Sequence, residues 1–166
     1  MNAQTINAFL AATTRVFKQF CNYEITMLRD EIALRKSPIK LYEINVHVGI
    51  VGDLNGVVYY SFPPDVAAQI ASLMTGLNSY EDGQLSELAK SALCELCNII
   101  SGQAAIELSN DGYRLDLSPP SLFTGHGVLT SSFHGYLLGI PMQTPVGKFE
   151  IDVALSEDKS LATRSK

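Results

Sequence analysis

Nowhere in the 166 residues is there a run of eighteen apolar side chains, the length a helix needs to cross a bilayer. Met1-Asn2-Ala3-Gln4-Thr5 also lacks the basic start and apolar stretch of a secretory leader, so no membrane association and a cytoplasmic location are expected. Cysteine is scarce. Cys21, Cys94 and Cys97 make an odd number in a chain of this length, which speaks against a disulfide framework and for reduced thiols. Positive charge is short too. Twelve Lys and Arg stand against seventeen Asp and Glu, a net charge of −5, which argues against a nucleic-acid surface built on phosphate neutralisation. An acidic chain more naturally meets a basic or mixed protein surface.

What remains is a 46% hydrophobic, 17% charged sequence, the makeup of a compact folded protein. One domain is expected over residues 1–155, with a polar, disordered tail over 156–166. Ile6, Phe9, Leu10, Thr13, Phe17 and Phe20 recur at helical spacing between Thr5 and Phe20 and predict a core-facing helix. The stretch from Asn22 to Arg35 mixes apolar and charged residues without a clear period.

Lys40 to Val51 alternates, with Ile44, Val46, Val48 and Ile50 on one side, and predicts a strand. Gly52-Asp53-Leu54-Asn55-Gly56 supplies residues that tolerate positive φ. The following Val57-Val58-Tyr59-Tyr60-Ser61-Phe62 should therefore pair back as a hairpin. Pro63-Pro64-Asp65 opens a short helix with Val66, Ala67, Ile70, Leu73 and Met74 inward, and Gly76 ends it.

The longest element is predicted from Gln84 to about Leu108, with Asp82 as its N-cap. At 100° per residue its buried arc holds Leu85, Leu88, Ala89, Ala92, Leu93, Leu96, Ile99 and Ile100. Its outer face holds Glu87, Ser91, Cys94, Glu95, Asn98, Ser101 and Gly102. Beyond the turn Asn110-Asp111-Gly112, strands are expected at Tyr113 to Leu117 and Gly135 to Ile140. After Pro145-Val146-Gly147 comes a third, with Phe149, Ile151, Val153 and Leu155 inward. Two passes of helix and hairpin emerge, which predicts an α+β fold: pseudo-repeated units, a largely antiparallel sheet and long helices packed on it.

Glu95 and Asn98 are the residues with chemical promise. Three apart on a helix, they lie about 60° apart around the axis and project together from one face. The spacing alone is weak, because Glu107-Leu108-Ser109-Asn110 matches it too; there Asn110 reads as a helix-ending residue. Cys94 and Cys97 form C-x-x-C in mid-helix, where the N-terminal dipole that lowers a redox thiol's pKa is missing. Zinc would need two further ligands from Cys21, His47, His126 and His134, which show no paired spacing, so no metal site is assigned. The glycine-rich stretch 52–56 lacks the lysine and the strand-to-helix setting of a phosphate loop.

Ser91-Ala92-Leu93-Cys94-Glu95-Leu96-Cys97-Asn98-Ile99-Ile100-Ser101-Gly102 resembles the signature helix of the CheC/CheX/FliY family of chemotaxis phosphatases. In that family E-x-x-N on a surface helix dephosphorylates the response regulator CheY. Asn7 to Thr13, Gly56 to Phe62, and Ser118-Pro119-Pro120-Ser121 with Gly125 extend the likeness over most of the chain. Thr13-Thr14-Arg15-Val16-Phe17-Lys18 carries no second motif, so the chain looks most like the single-motif CheX branch. Cys97 departs from the pattern, standing where a smaller residue often precedes the Asn.

The resemblance implies a phosphatase acting on the phospho-aspartate of a CheY-like receiver domain, and a homodimer. It makes Asn98 and Glu95 catalytic, with Ser91 and Gly102 shaping the contact. No cofactor of the chain's own is implied, and Mg²⁺ sits on the receiver. The chemistry fits an amide. An aspartyl phosphate is a mixed anhydride with a carboxylate leaving group, so its hydrolysis needs an aligned water more than a strong base. Glu95 would repel a phosphoryl group unless it met a cation, and the family's receiver supplies a lysine. Two other readings stand beside this one: a non-enzymatic receiver-binding adaptor or flagellar-switch-like module, and a sensor built on the cysteines.

Overall fold

Phe149, Ile151, Val153 and Leu155, and across from them Ile44, Val46, Val48 and Ile50, are all buried, while their alternates face the other side of one sheet. The computed structural model describes residues 3–157. In chain order its elements are α1 (Ala3–Cys21), β1 (Thr26–Met27), a 3₁₀ turn (Arg29–Glu31), β2 (Ala33–Lys36), β3 (Ile39–Lys40), β4 (Ile44–Gly52), β5 (Leu54–Phe62) and α2 (Pro64–Thr75). There follow β6 (Tyr80–Glu81), β7 (Gln84–Leu85), α3 (Glu87–Asn110), β8 (Leu115–Leu117), β9 (Ser121–Thr124), β10 (Leu129–Thr130), β11 (Tyr136–Thr144) and β12 (Gly147–Glu157).

Two long hairpins, β4–β5 and β11–β12, lie side by side and join through antiparallel pairing of β12 with β5, Val153 opposite Val58. The sheet order is β1-β11-β12-β5-β4-β8, with β2 also on β11 and β9 also on β4, and every pairing is antiparallel. The expected α+β architecture is therefore present, with each hairpin a counterpart of the other. The three helices share one core with the sheet. Phe17 of α1 stacks on Phe149 of β12 at 5.0 Å between centroids, and Phe149 stacks on Phe62 of β5 at 5.1 Å. A smaller apolar cluster, Ile39, Leu41 and Leu137, sits under the β3–β10 ribbon.

Backbone chemistry sets the ends. Pro64 begins α2, and Gly76 at φ 70° closes it, its N–H donating to Ser72 C=O at 2.9 Å. Gly56 is fixed by close approach, since a Cβ there would overlap the Ala154 carbonyl oxygen of the neighbouring strand.

Several expectations need correcting. Asp82 does not cap α3: with Gly83 it makes the two-residue turn of the β6–β7 hairpin, both at positive φ, and the helix starts at Glu87 behind Ser86. Lys40 pairs with Leu129 in the separate ribbon, so the long strand begins only at Ile44. Phe20 and Leu73 are exposed at the rims of their helices, because the buried stripe of α1 is centred on Phe9, Ala12, Val16 and Phe17 and that of α2 on Val66, Ala67, Ile70 and Ala71. β11 runs on to Thr144, well past Ile140. Ser156 and Glu157 belong to β12, paired with Asn55 and Leu54, and the rest of the expected tail, 158–166, lies outside the described residues.

Candidate functional site on the outer face of helix α3

Ser86 stops its own backbone short of the helix and lends its hydroxyl to the Ala89 N–H at 3.1 Å, the N-cap of α3. Such a cap contributes about 1 kcal/mol. Lys90 reaches back to Glu87 at 2.7 Å, an exposed pair that adds little. Twenty-four residues later Asn110 ends the helix, and Asp111-Gly112 turns the chain away with Gly112 at φ 95°. That end is where the second E-x-x-N match falls. Its Glu107 is held by Arg15 of α1, so it serves the packing of α1 on α3.

The buried side of α3 is Ala89, Leu93, Leu96, Cys97, Ile100, Ser101, Ala104 and Leu108. Compared with the expected arc, it is turned toward Cys97 and Ser101. Leu88 is 51% exposed, and Ser101, expected outside, is wholly inside. The cause is across the core, where the Tyr60 hydroxyl of β5 lies 2.8 Å from Ser101 Oγ. Two buried hydroxyls satisfy each other there, and neither can turn outward without stranding the other.

With that side pinned, the outward direction is set. Glu95 and Ser91 are exposed, and Asn98 and Gly102 are half-exposed. At 100° per residue the four fall within about 60° of one another, in a stripe about 16 Å long. Among the described residues neither the Glu95 carboxylate nor the Asn98 carboxamide has a hydrogen bond or ion pair. Both are free to meet solvent or another surface. A Cβ built on Gly102 meets nothing within 4 Å, so no neighbour within the chain requires a glycine there. Mid-helix glycine nevertheless costs about 1 kcal/mol relative to alanine.

The stripe's surroundings are less legible in the sequence than its centre. Leu88 and Ile106, 51% and 64% exposed, lie at the same angle around α3, about 20° from Glu95 and five turns apart. They bracket the polar centre with apolar ends. Ile106 carried the signal in its position, one turn beyond Gly102, whereas Leu88 reads as core on spacing alone.

Cys97 is fully buried and Cys94 half-buried, and both are free thiols. Burial pushes the Cys94 thiol pKa up. The Cys97 thiol is pushed well up, first by burial and then by the neighbouring Cys94. Both are held as protonated thiols, the opposite of a reactive pair. His126 is exposed, its Nδ1 3.8 Å from Glu43, and His134 is exposed with Nε2 2.9 Å from Ser156 Oγ. Neither approaches the stripe through any of these contacts. Among the described residues no group of three His, Cys, Asp or Glu side chains is placed to hold a metal, and no helix is long and apolar enough to cross a membrane.

Residues 44–139, more than half of the chain, match the family described as chemotaxis phosphatase CheX. The CheY-P phosphatase CheX of Thermotoga maritima is 30% identical over 143 residues, which cover 86% of this chain and 88% of that protein. Among solved structures, a chemotaxis protein CheX from Desulfovibrio desulfuricans is 25% identical, with a TM-score of 0.77 over 93% of this chain and 99% of its own. A CheX–CheY–BeF₃–Mg²⁺ complex from Borrelia burgdorferi shares the fold at 24% identity and a TM-score of 0.67, covering 92% of this chain and 97% of the matched one. By the extent of the family match and the identity to the Thermotoga protein, this chain belongs to the CheX family of chemotaxis phosphatases.

Proposed function

We propose that the chain hydrolyses the aspartyl phosphate of a CheY-like receiver domain, with the outer face of α3 laid against the receiver's phosphorylated site. The observation that carries this reading is the pairing of two partnerless polar side chains, Glu95 and Asn98, on one exposed stripe of a helix whose rotation is locked from inside. The CheX relative from Thermotoga acts on CheY-P, as its name states, which supports the same substrate class here.

Asn98 is the catalytic residue. Its carboxamide oxygen accepts a hydrogen bond from a water while its nitrogen donates to a phosphoryl oxygen, and the two bonds together fix the direction of attack. The water oxygen bonds to phosphorus as the bond from phosphorus to the aspartyl oxygen breaks. The electron pair leaves on the receiver's carboxylate, and the water's protons remain on the released phosphate. No protein group has to take a proton, so an amide is sufficient. Each tenfold acceleration asks for only about 1.4 kcal/mol of alignment.

Glu95 docks and orients. A bare carboxylate next to a phosphoryl group is repelled, so its use requires a cation on the partner, which the family resemblance places in the receiver's phosphate-contacting lysine. Mg²⁺ likewise is assigned to the receiver by the family resemblance, and a CheX–CheY complex from Borrelia burgdorferi that contains BeF₃ and Mg²⁺ supports that reading. Ser91 and Gly102 keep the helix surface low enough for close contact. Receivers of this kind work in the cytoplasm, which is where we place the activity, and the resemblance also leads us to propose that two copies act together. The test is phosphate release from a phosphorylated receiver. Wild-type protein should accelerate it and Asn98→Ala should not, at equal receiver binding.

A further inference from the structure

Helices α1 and α3 hold equivalent places in the fold. Thr5, Phe9, Ala12, Thr13, Val16 and Phe17 are buried in α1 at the same spacing as Ala89, Leu93, Leu96, Cys97, Ile100 and Ser101 in α3. Each helix then feeds two short strands to the long hairpin that follows the other helix: β1 and β2 lie on β11, β8 and β9 on β4. Matching the two buried stripes puts Asn7, Ala11, Thr14 and Lys18 of α1 where α3 carries Ser91, Glu95, Asn98 and Gly102. All four are exposed. The repeat thus offers a second outer face, and that face lacks the Glu–Asn pair of the first.

Its charge is reversed. α1 contains no Asp or Glu, and Arg15 and Lys18 stand on its outer side. Beside them a groove of about 850 Å³ runs between α1 and β1, floored by Leu10, Met27 and Met142, with Arg29 on the bank opposite α1. Three cations line it against one carboxylate, Glu24, in a chain of net charge −5. Lys18 pairs with Glu24 and Arg15 with Glu107, solvent-facing contacts of the kind that contribute little and give way to a better partner. Among the described residues Arg29 has no ion pair.

The edge of the sheet opens into the same groove. Among the described residues β1 pairs on one side only, with β11. Leu28 N–H donates to Pro141 C=O at 3.0 Å, so the alternation of an antiparallel ladder turns the Met27 N–H and C=O to the unpaired side. Thr26 and Met27 both line the groove. An extended chain laid there can exchange backbone hydrogen bonds with Met27, set every second side chain on the apolar floor and hold the others toward the cations. Nucleic acid fits worse: three cations are few for a polyanion approaching an acidic chain, and its phosphates have no use for Leu10 and Met27.

We propose that this groove takes an extended acidic segment of a partner protein, its backbone along the free edge of β1, its carboxylates on Lys18 and Arg29 and its apolar side chains on Leu10 and Met27. The site goes beyond the phosphatase reading and does not depend on it. Ser91, Glu95, Asn98 and Gly102 do not line the groove, so the segment and the receiver use different residues.

Fluorescence anisotropy of a labelled peptide of about eight alternating glutamate and valine residues, titrated with the full chain, tests this. Binding should saturate, weaken with added salt, and be absent for the lysine–valine counterpart. Lys18→Glu and Arg29→Glu should each weaken it at least about tenfold, with an unchanged circular dichroism spectrum. Arg114→Glu, at an exposed cation elsewhere, should leave it intact. In hydrogen exchange the Met27 amide should be open in the free protein and protected in the complex. No binding, an affinity untouched by both charge reversals, a Met27 amide that exchanges as fast in the complex, or a single-stranded oligonucleotide that binds the groove more tightly than the peptide would overturn the proposal. Phosphate release by Lys18→Glu should match wild type. Absence of release in every sample alongside intact peptide binding would count against the function and leave this site standing.

Discussion

The Tyr60 and Ser101 hydroxyls meet at 2.8 Å in the interior, and that contact ties the rotation of α3 to the centre of the sheet. Ser101 lies three residues past Asn98, about 60° around the helix, so holding it inside leaves Asn98 at the surface and Glu95 beyond it. Burial pushes the Tyr60 hydroxyl's pKa up, which favours the neutral hydroxyl that this contact needs. Removing either partner, by Tyr60→Phe or Ser101→Ala, strands the other and should cost about 1–3 kcal/mol. Removing both should cost less than the two added together. Urea unfolding of the four proteins gives the coupling, and strict additivity would contradict the pairing.

Gly102 should separate stability from binding. Gly102→Ala places a methyl group where nothing lies within 4 Å, so the chain should gain up to about 1 kcal/mol in stability. Gly102→Leu should hold the fold and weaken receiver binding by about tenfold, about 1.4 kcal/mol. Unaltered affinity in titrations of Gly102→Leu with a phosphorylated receiver would remove the helix face from the contact.

Glu95→Ala should weaken receiver binding and slow phosphate loss together, whereas Glu95→Lys should do so more severely, because it sets like charge against the partner's cation. The wild-type affinity should fall with added salt, and that dependence should flatten in Glu95→Ala. Equal salt slopes for the two proteins would contradict the docking role.

Asp152 predicts a pH dependence of stability. It is wholly buried, takes a hydrogen bond from Arg35 at 2.7 Å through one oxygen, and keeps Oδ2 without a partner. Burial, then repulsion from Glu150, raises its pKa from 3.8 to about 7, with Arg35 pulling the other way. Between these values the folded chain holds a proton that the unfolded chain has lost. This group's contribution to stability therefore falls as pH rises through that window, by at most about 1.4 kcal/mol per unit, and levels off above the folded value. Unfolding midpoints of wild type and Asp152→Asn at pH 4.5 and 7.5 should show the wild type losing ground to the variant at the higher pH. A constant difference would contradict the shift.

Much of this fold was legible because its largest parts obey simple periods. The alternation of Phe149, Ile151, Val153 and Leu155 cannot be mistaken for a helix, and Pro64 and Gly76 bracket α2 with the residues that helix ends demand. The 22–43 region was not legible. Its strands are two to four residues long and exist because β11 or β10 is beside them, so their cause lies about ninety residues away or more. Asp82-Gly83 carried two meanings, a helix cap or a hairpin turn, and the backbone took the second.

For the site, the motif and its helix could be read directly, but the side on which each residue falls could not. Ser101 looks like a surface serine until Tyr60 is placed opposite it, and Leu88 looks like core until the helix is seen to turn its buried side toward Cys97. Helical period gives relative angles; the partner across the core sets the absolute one.

The most direct measurement is the lifetime of a phosphorylated CheY-like receiver mixed with wild-type protein or with Asn98→Ala, alongside binding of the same receiver to each. The account predicts that wild type shortens the lifetime at least about a hundredfold more than Asn98→Ala, a difference of about 2.7 kcal/mol in the barrier, with receiver affinity changed by less than about threefold. Phosphate loss equally fast with Asn98→Ala, or a wild type that binds without shortening the lifetime, would contradict it.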